Sequence, residues 1–599
     1  MIPGGRGTNR PLGRVRTSRS VPALRVRLVQ IAGLLAAVAL FPSEVSGFAT
    51  PKASQEGAAL NDRPGLQKGD PCAENFVDVL RTAKGLADDG EPDPAAALLA
   101  SALFQCPDHP ELLADLAGLR VLQGELAEAE TLGTRLVRIR PESNYAWELL
   151  ALTRYLRDDA HGALDAWNQM DRPRVRNVNI RVLGHHGPRD SEAGPDPDQV
   201  SGVAQGQVLM VEGLVRGERR LGALPAAERA RIEYRMVPGG EATVDGMVVL
   251  GAGNPFTRPA LVVHALRLVG RRAHLVSADP LGRLERWELT GTMEGTLRRA
   301  GLTLAHPAPG GRGVWRWELD HEAGRYGSDG IGDAVRETST SLGWSHTDWV
   351  NSTLRGSVHS RVDVRPERGT FAGAGAGWTV LPPTARGAIG AEGTGWVRIG
   401  GHTSDGSAQA PQTRYGRAEM RGVFHAMRPR AWAGQTDGDG TGAGPSGSGM
   451  GLDIRGGVVA VSRGIPPDLM PRIGSGGNAA LLMRARSDLD DHGVIRPNFP
   501  GTAWAHGGIE VLRPVTAVGP VGLDVAFFVD GVRVLSPESR PDPAVDRRGA
   551  VHLGGGVRAR IPWVDGWFRA DWGIDPSDGT STFSAAWVRE HRLHRLSAY

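Results

Sequence analysis

The chain has no dominant charge of either sign. Its 599 residues include 69 Lys and Arg against 66 Asp and Glu, so the formal net charge is only +3. The charged residues are also spread along the whole chain, whereas a nucleic-acid-binding surface needs a concentrated basic field. The composition therefore argues against a DNA-binding or RNA-binding role, and we expect no nucleic acid among the partners.

Long apolar runs are nearly absent as well. The exception, Leu28 to Phe41, follows an arginine-rich leader and precedes the small residues Val45 and Gly47. This order predicts a secretory signal peptide over residues 1–47 and a linker over residues 48–71. A membrane anchor is the alternative, although the run has about 14 residues and a spanning helix needs roughly 20. Because no later run is long enough, the exported chain could enter a membrane only as a closed barrel.

Cysteine is scarce. Only Cys72 and Cys106 occur, 34 residues apart. In an oxidising periplasm this pair predicts one disulfide that joins two helices, and two unpaired thiols in a small core are the alternative. No C-x-x-C pattern or cluster of Cys and His surrounds either residue, so we expect no metal site there.

Familiar enzyme motifs are missing too. No G-x-S-x-G, H-E-x-x-H, P-loop or paired-carboxylate arrangement stands out, which predicts that the protein is not an enzyme and uses no cofactor or metal. A cluster of His185, His186 and Asp190 could bind a metal or act in catalysis, but it lies in a loop rich in Gly, Pro and Asp and has no further helper. The stretch Asp437-Gly-Asp-Gly is similar to part of a calcium loop but lacks its terminal Glu, so we interpret it as an extracellular or periplasmic loop.

The first positive signal is a repeat of 34 residues. Small or turn-forming residues recur at this spacing in turns (Gly90, Gly124, Asp158), in first helices (Ala83, Ala117, Ala151) and in second helices (Ala95, Ala129, Ala163). Thirty-four residues is the period of tetratricopeptide repeats, whose helical pairs stack on their neighbours. We predict about three such repeats over residues 72–172, with an unspecialised helical bundle as the alternative. The resemblance implies a concave groove for a protein partner.

Residues 173–252 change to a pattern of strands and one helix. Val178 to Leu183 alternates like a strand, and Val208 to Leu221 is amphipathic like a helix. Two short strands, Arg231 to Val237 and Thr243 to Leu250, meet at Pro238-Gly239-Gly240, which is a hairpin signal. This order resembles a polypeptide-transport-associated (POTRA) module. The resemblance implies a small α+β domain with an exposed sheet edge that accepts an extended client strand.

Residues 253–599 alternate over stretches of roughly ten residues, separated by turns, as in an outer-membrane β-barrel. Glycine reaches 83 residues in the chain, and much of it lies inside these stretches. The predicted strands include Arg283–Thr290, Gly313–His321, Glu337–Trp344, Ser352–Val362, Thr370–Thr379, Gly387–Ile399, Arg417–Phe424, Trp504–Val515, Ala550–Ile561, Gly566–Ile574 and Ser581–Val588. Tryptophans near strand ends predict an interfacial aromatic girdle formed by Trp315, Trp344, Trp349, Trp378 and Trp396. A soluble β-sandwich or propeller is the alternative.

The last third contains a more specific pattern. The segment from Arg472 to Arg486 resembles the long loop that folds back into the barrel in the BamA/TamA-type outer-membrane assembly and translocation superfamily, the surface-antigen barrels. Arg484 matches the arginine of the family's Arg-Gly-aromatic motif, whereas Ala485 and Arg486 depart from the other two positions. Phe528-Val-Asp-Gly is similar to the family strand that receives this arginine, with its glycine one position early.

A guanidinium inside a partly desolvated lumen needs a carboxylate, and its planar fork can hold a loop tip in place. We therefore predict that Arg484 pairs with Asp530 or with Glu510 on the preceding strand. Ordinary pairing of lumenal charges without a special role is the alternative.

The resemblance implies a multidomain outer-membrane protein. Periplasmic all-α tetratricopeptide-like repeats and one small α+β POTRA-like module would precede a C-terminal transmembrane antiparallel β-barrel of about 16 strands over residues 253–599. The protein would assist insertion or translocation of client proteins at the bacterial outer membrane, with the lipid bilayer, clients and periplasmic or outer-membrane proteins as partners. A passive porin or channel and a soluble periplasmic β-rich scaffold are the alternative functions.

Overall fold

A computed structural model describes most of the chain after residue 71. The described residues are 72, 76–184, 187–188, 196–251, 272–327, 334–382, 387–400, 413–426, 450–474, 481–496, 499–518, 521–537, 548–560 and 567–588. The predicted signal peptide and linker, the cluster of His185, His186 and Asp190, and the loop at Asp437 lie outside these residues.

Six helices form three helix–turn–helix pairs ahead of the first strand. They are α1 (Val77–Asp88), α2 (Pro92–Gln105), α3 (Pro110–Leu122), α4 (Leu126–Ile139), α5 (Asn144–Leu156) and α6 (Ala160–Asn168). The turn inside each pair contains a residue with positive φ, namely Gly90, Gly124 or Asp158, because a left-handed residue ends the first helix. The six alanines of the repeat are at most 2% exposed, so the helices pack closely at these positions.

Cys106 follows α2 and is buried, and both cysteines are disulfide-bonded. None of the described helices is both long and apolar enough to cross a bilayer.

A small α+β module follows the helical pairs. Its elements are β1 (Arg174–Gly184), β2 (Gly187–Pro188), α7 (Pro197–Ser201), α8 (Val211–Gly222), β3 (Ala227–Val237) and β4 (Glu241–Leu250). The sheet order is β2-β1-β4-β3, with β1 parallel and β3 antiparallel to β4. Gly239 and Gly240 have the positive φ values of 97° and 73° in the turn between β3 and β4, where the sequence predicts a hairpin.

Acidic side chains cover part of both outer edges of this sheet. The backbone N–H of Ile180 in β1 donates to Asp198 at 3.0 Å, and the N–H of Ile232 in β3 donates to Glu218 at 3.1 Å. Such a bond occupies a donor that an added strand would otherwise use. The open edge implied by the POTRA resemblance is therefore partly closed in this structure.

The remaining part of the chain forms one large antiparallel sheet. Its strands are β5 (Arg272–Ala278), β6 (Arg286–Glu294), β7 (Leu297–Pro307), β8 (Val314–Tyr326), β9 (Val335–Trp349), β10 (Leu354–Arg365), β11 (Gly369–Val380), β12 (Gly387–Gly400), β13 (Arg414–Ala426), β14 (Gly451–Val461), β17 (Ala503–Val518), β18 (Val521–Ser536), β19 (Gly549–Arg560), β20 (Trp567–Ile574) and β21 (Ser581–Val588). Two short strands, β15 (Ile473–Gly474) and β16 (Leu481–Leu482), pair separately. The described sheet has fifteen strands in chain order, against the expected number of about 16. The predicted fold class is confirmed.

The two faces of the large sheet differ in polarity, as β18 illustrates. Phe527 and Val529 on one face of the strand are 62% and 41% exposed. Asp530 on the opposite face is fully buried. The same alternation continues in β19, where Leu553 is exposed and His552 is buried. Apolar side chains therefore point outward and charged side chains point inward, which is the reverse of a water-soluble protein and typical of a barrel in lipid.

The sheet curls around the segment between β14 and β17, which we call the inner loop and of which the structure describes residues 462–474, 481–496 and 499–502. Gly493 of this loop contacts the turn between β6 and β7, Asp468 contacts β10, and Arg484 contacts β18. One loop can reach early, middle and late strands of an antiparallel sheet only if the sheet wraps around it. The large sheet thus forms the wall of a barrel, and the inner loop lies in its lumen.

The small module and the inner loop belong to opposite ends of this wall. Strand connections alternate between the two ends, and α8 contacts the end that carries the β9–β10 turn. Arg220 donates to both carboxylate oxygens of Asp348 at 3.2 and 3.0 Å, and the Arg219 guanidinium lies 5.0 Å from the ring centroid of Trp349. The inner loop enters from the other end, because an odd number of strands separates the two connections.

The predicted aromatic girdle is wrong for two of its members. Trp349 and Trp396 are only 1% and 4% exposed. Trp349 packs against Leu381 beneath α8, and Trp396 packs inside the lumen. Both occupy inward positions at strand ends, where the module or the inner loop covers them, and the alternating pattern alone does not reveal such a cover.

Candidate functional site at the inner loop

An apolar cluster fixes part of the inner loop against the barrel wall. Ile473, Leu481, Met483 and Phe499 are among the loop side chains of this cluster, and they are at most 4% exposed. The wall contributes Phe371, Trp396, Tyr415, Val459, Val461, Trp504, Val532 and Val534. Burial of this much apolar surface stabilises the loop inside the lumen, since each large side chain removed from water contributes about 1.5–3 kcal/mol.

Arg484 follows this cluster and is fully buried. Its Nε and Nη2 donate to the two oxygens of Asp530 at 2.7 and 2.9 Å, and its Nη1 donates to Glu510 at 2.6 Å. The guanidinium carbon also lies 3.3 Å from the centroid of the Phe528 ring. A bidentate bond, a third charge-assisted bond and a cation–π contact thus hold one side chain in one orientation.

Further charged residues surround this arginine. Arg455 donates to Asp530 at 2.9 Å, and Arg558 donates to Glu510 at 2.9 Å and to Asp571 at 2.5 Å. The carboxylates of β17, β18 and β20 therefore alternate with guanidinium groups from the loop, β14 and β19. Buried charges are stable only when they are paired and hydrogen-bonded in this way.

The protonation state of Arg484 follows from its neighbours. Burial alone would lower its pKa, but the hydrogen bonds and charge of Asp530 and the charges of Glu510 and Asp571 raise the pKa above its ordinary value. The side chain therefore stays a cation, as a bidentate pair requires.

A glycine in the wall admits the backbone of the loop tip. A Cβ on Gly573 in β20 would lie 2.7 Å from the carbonyl carbon of Arg484 and 2.8 Å from the nitrogen of Ala485. The loop backbone continues along the last strands, where the N–H of Ala485 donates to His552 Nδ1 at 3.1 Å. The Thr582 hydroxyl of β21 donates to the Ala485 carbonyl at 2.9 Å.

Arg486 reaches a different place from Arg484. Its Nε and Nη2 donate to Oδ2 of Asp575 at 3.2 and 2.8 Å, and its Nη2 also donates to Asp578. Both carboxylates belong to the turn between β20 and β21. The two arginines therefore bind different carboxylates: Arg484 binds those within β17 and β18 and lies near Asp571 of β20, and Arg486 binds those of the turn after β20.

Asp468 and Arg472 hold other described parts of the loop. Asp468 accepts from Arg365 of β10 at 2.6 Å, and Arg365 is buried. Arg472 donates to Asp488 within the loop at 2.5 Å and to Glu294 of β6 at 3.3 Å. The loop is thus bound around the lumen and not only at its tip.

The structure brings together the residues that the sequence singled out. Arg484 contacts both of its candidate partners, Asp530 and Glu510, and Arg486 lies beside them on the loop. Sequence reasoning missed the other charged members of the site, which are Arg455, His552, Arg558, Asp571 and Asp575. Most of them occupy inward positions between apolar neighbours of a strand, which identifies them as lumenal. Their pairing depends on strand register and on the path of the loop, which no local pattern specifies.

The charges of this site are largely matched with each other, so the arrangement is suited to holding the loop. Within the part of the chain that the structure describes, no group of three or more His, Cys, Asp and Glu side chains could hold a metal ion.

Comparisons with known proteins identify one region. A tetratricopeptide repeat family matches residues 86–152, which confirms the predicted repeats. No curated protein matches the chain.

Among solved structures, BamA from Haemophilus ducreyi lacking POTRA domains 1–3 is 11% identical, with 69% of this chain and 84% of that chain covered and a TM-score of 0.37. CdiB from Escherichia coli is 13% identical, with coverage of 70% and 76% and a TM-score of 0.42. The globular C-terminal domain of LpoP from P. aeruginosa is 33% identical over 16% of this chain and 92% of that chain, with a TM-score of 0.15.

Proposed function

We propose that this protein is an outer-membrane barrel that assists the insertion or translocation of client proteins, and that it does so without enzymatic chemistry. The observation that carries the proposal is the inner loop, which lies in the lumen of an outwardly apolar barrel and is held there by Arg484. The order of the sequence motifs, from repeats through a POTRA-like module to the loop arginine and its aspartate strand, supports the same function by resemblance.

The polarity of the wall supports a location in a membrane. On β10, Val358, Val362 and Val364 are 41–48% exposed, whereas Asp363 and Arg365 are buried. In water such a surface would expose apolar side chains on many adjacent strands, and contiguous patches of this kind promote association. In lipid the same surface is fully compatible with its surroundings. This distribution disfavours a soluble periplasmic scaffold.

The contents of the lumen disfavour a passive porin. A wide open channel needs a continuous water-filled path, but the inner loop packs an apolar cluster against the wall and adds ion pairs around the lumen. The helical repeats and the POTRA-like module would also have no purpose in a simple pore. We place these domains in the periplasm, where they would bind protein partners and capture the client.

In the mechanism that we propose, a captured client strand pairs with an edge of the barrel sheet. β5 and β21 end the sheet in the described residues, and the loop tip touches β21 through Thr582. The Arg484 network joins β14, β17, β18, β19 and β20, so it sets the shape of the wall beside that edge. A loop held in this position would keep the barrel in the state that admits a client.

Two measurements test the proposal. Membrane fractionation with a heat-modifiability gel should place the protein in the outer membrane and show a mobility shift on boiling. In cells depleted of the native protein, the unchanged gene should restore client delivery and Arg484→Ala should fail. Arg496→Ala is the matched control, because this loop arginine is 41% exposed at its side chain and pairs with Asp490 inside the loop. Recovery of the protein without detergent, or full client delivery by Arg484→Ala, would contradict the proposal.

A further inference from the structure

The turn between β20 and β21 carries two carboxylates, and each of them accepts hydrogen bonds both from the turn itself and from Arg486. Oδ1 of Asp575 accepts from the backbone N–H and the hydroxyl of Ser577 at 3.0 and 2.6 Å. Oδ1 of Asp578 accepts from the backbone N–H of Thr580 at 3.0 Å. These bonds build the turn from within, and the other oxygen of each aspartate binds Arg486.

Arg486 is therefore bound by a preformed site and not by scattered surface charges. Its side chain is 17% exposed, and Asp575 is fully buried beside His552, whose Nε2 lies 3.5 Å from it. Two carboxylates in one short turn repel each other, and a guanidinium that binds both of them offsets this repulsion. Without Arg486 the turn would keep its internal hydrogen bonds but would lose the charge-assisted bonds that join it to the inner loop.

This turn leads directly into the last strand of the described sheet. β21 pairs with β20 over Ser581–Val588, and the described residues show no ladder on its other side. In the described residues, β21 is attached through its ladder with β20 and the Thr582 bond to the loop, and the Arg486 ion pairs hold the turn that precedes it. Arg484, two residues earlier, donates to β17 and β18 and lies 3.7 Å from Asp571 within β20, but it does not bind the β20–β21 turn.

We propose that Arg486 is a positioning residue that latches the β20–β21 hairpin to the inner loop through two carboxylates, Asp575 and Asp578, that Arg484 does not bind. Release of this latch loosens the edge strand while the loop stays in the lumen. The inference rests on the proposed function in one respect, namely that a fixed β21 governs the entry of a client strand.

Hydrogen–deuterium exchange of the full-length protein, folded in detergent micelles, tests the latch directly. Arg486→Ala should raise the exchange rate of backbone amides in residues 577–588 by about tenfold or more, because it removes several charge-assisted hydrogen bonds. The amides of β12 and β13 should keep their rates and serve as the internal reference. Arg486→Lys should recover part of the protection, since an ammonium keeps the charge but loses the fork.

Two further variants keep the test informative. Asp578→Asn removes one charge at an accessible position and leaves an oxygen for the Thr580 N–H. It should raise the exchange rate of the β21 amides by less than Arg486→Ala does, and it provides a milder test if Arg486→Ala folds poorly. Arg496→Ala changes an arginine of the same loop whose partner lies within the loop, and it should leave β21 unchanged. An unchanged β21 in Arg486→Ala, or an equal increase in β12 and β13, would overturn the latch.

The link to client entry is measured separately by complementation with the same variants. Arg486→Ala should deliver less client than Arg496→Ala at equal amounts of folded barrel. Full delivery by a variant with a loosened β21 would overturn the role of the latch in client entry. Failure of the unchanged gene to restore delivery would instead refute the proposed function, and the exchange result would still decide whether the latch exists.

Discussion

Arg484→Ala offers the sharpest perturbation of the barrel lumen. The substitution removes three charge-assisted hydrogen bonds from a fully buried side chain, two to Asp530 and one to Glu510. The carboxylates stay behind in the protein interior. Asp530 retains a bond from Arg455, and Glu510 retains a bond from Arg558, so neither is left entirely without a cation.

The size of the effect follows from this partial compensation. Loss of one partner of a buried ion pair costs about 3–5 kcal/mol. Because Arg455 and Arg558 continue to offset the charge, we expect the lower limit, about 3 kcal/mol. This corresponds to about a hundredfold shift in the equilibrium between the bound and the released loop tip. Salt should change the result little, since buried pairs are weakly screened.

Limited proteolysis and hydrogen–deuterium exchange of the folded protein in detergent measure this equilibrium. In Arg484→Ala, the amides of residues 481–496 should exchange about a hundredfold faster if opening is the exchange-limiting step. The amides of β12 and β13 should be unaffected, because these strands keep their own pairing and Arg417 of β13 still donates to the Leu469 carbonyl at 3.3 Å. Arg496→Ala should resemble the unchanged protein.

A double-variant cycle identifies the origin of the effect. Asp530→Asn removes the charge of the carboxylate that Arg484 grips with two bonds, so the two substitutions together should cost less than their sum, with a coupling of about 1–3 kcal/mol. Additive costs, or a change of less than about threefold in loop exchange for Arg484→Ala, would refute the reasoning. In that case the apolar cluster alone would hold the loop.

Other parts of the same structure give further expectations. Gly573→Val should displace the loop tip although every charge remains, because a side chain there meets the Arg484 backbone at 2.7 Å; faster exchange of residues 483–486 checks this. Asp468→Ala should leave buried Arg365 without its carboxylate, cost about 3 kcal/mol and expose residues 465–473 to protease. Arg220→Ala should weaken the contact of α8 with Asp348 by about 1.5–3 kcal/mol, visible as faster exchange in 211–222 with an unchanged barrel.

The sequence predicts the repeats and most strands well because their signals are local. The spacing of 34 residues brings Ala117 and Ala151 to equivalent buried positions, and alternation alone suffices to predict β21 as Ser581–Val588. β14 is missed because it follows a Gly- and Ser-rich stretch that reads as a loop. β5 and β7 are missed as well, since adjacent arginines at their starts interrupt the alternation of apolar and polar residues.

The site is predicted only in part, for a different physical reason. The motif resemblance is enough to predict Arg484 with its two candidate carboxylates, because these residues carry a family pattern. Arg558 and Asp571 carry no such pattern. They meet because β19 and β20 pair in a register that places Gly556 opposite Asp571, so the Arg558 side chain can reach across to that carboxylate. Register across strands and the path of a long loop are properties of the whole barrel.

The loop differs from the Arg-Gly-aromatic motif that it resembles, and its surroundings match these differences. Ala485 stands where the resembled motif has glycine, and it is fully buried beside Gly573. The missing side chain of Gly573 in the wall leaves room for the backbone of the loop at this point. Arg486 stands where the resembled motif has an aromatic residue, and the turn beside it presents Asp575 and Asp578 to its guanidinium.

The second substitution would be costly alone, because an arginine against an apolar wall is a buried cation without a partner. An aromatic side chain at position 486 would likewise remove the guanidinium that binds both aspartates. Arg486→Phe should therefore destabilise the β20–β21 hairpin more than Arg486→Lys does. Adding Asp575→Asn and Asp578→Asn to Arg486→Phe should recover much of the loss, since the asparagine oxygens preserve the turn without the charges. Exchange of the β21 amides in the three proteins measures both effects. A triple variant that is no better protected than Arg486→Phe would show that Arg486 and the two aspartates do not stabilise the hairpin together.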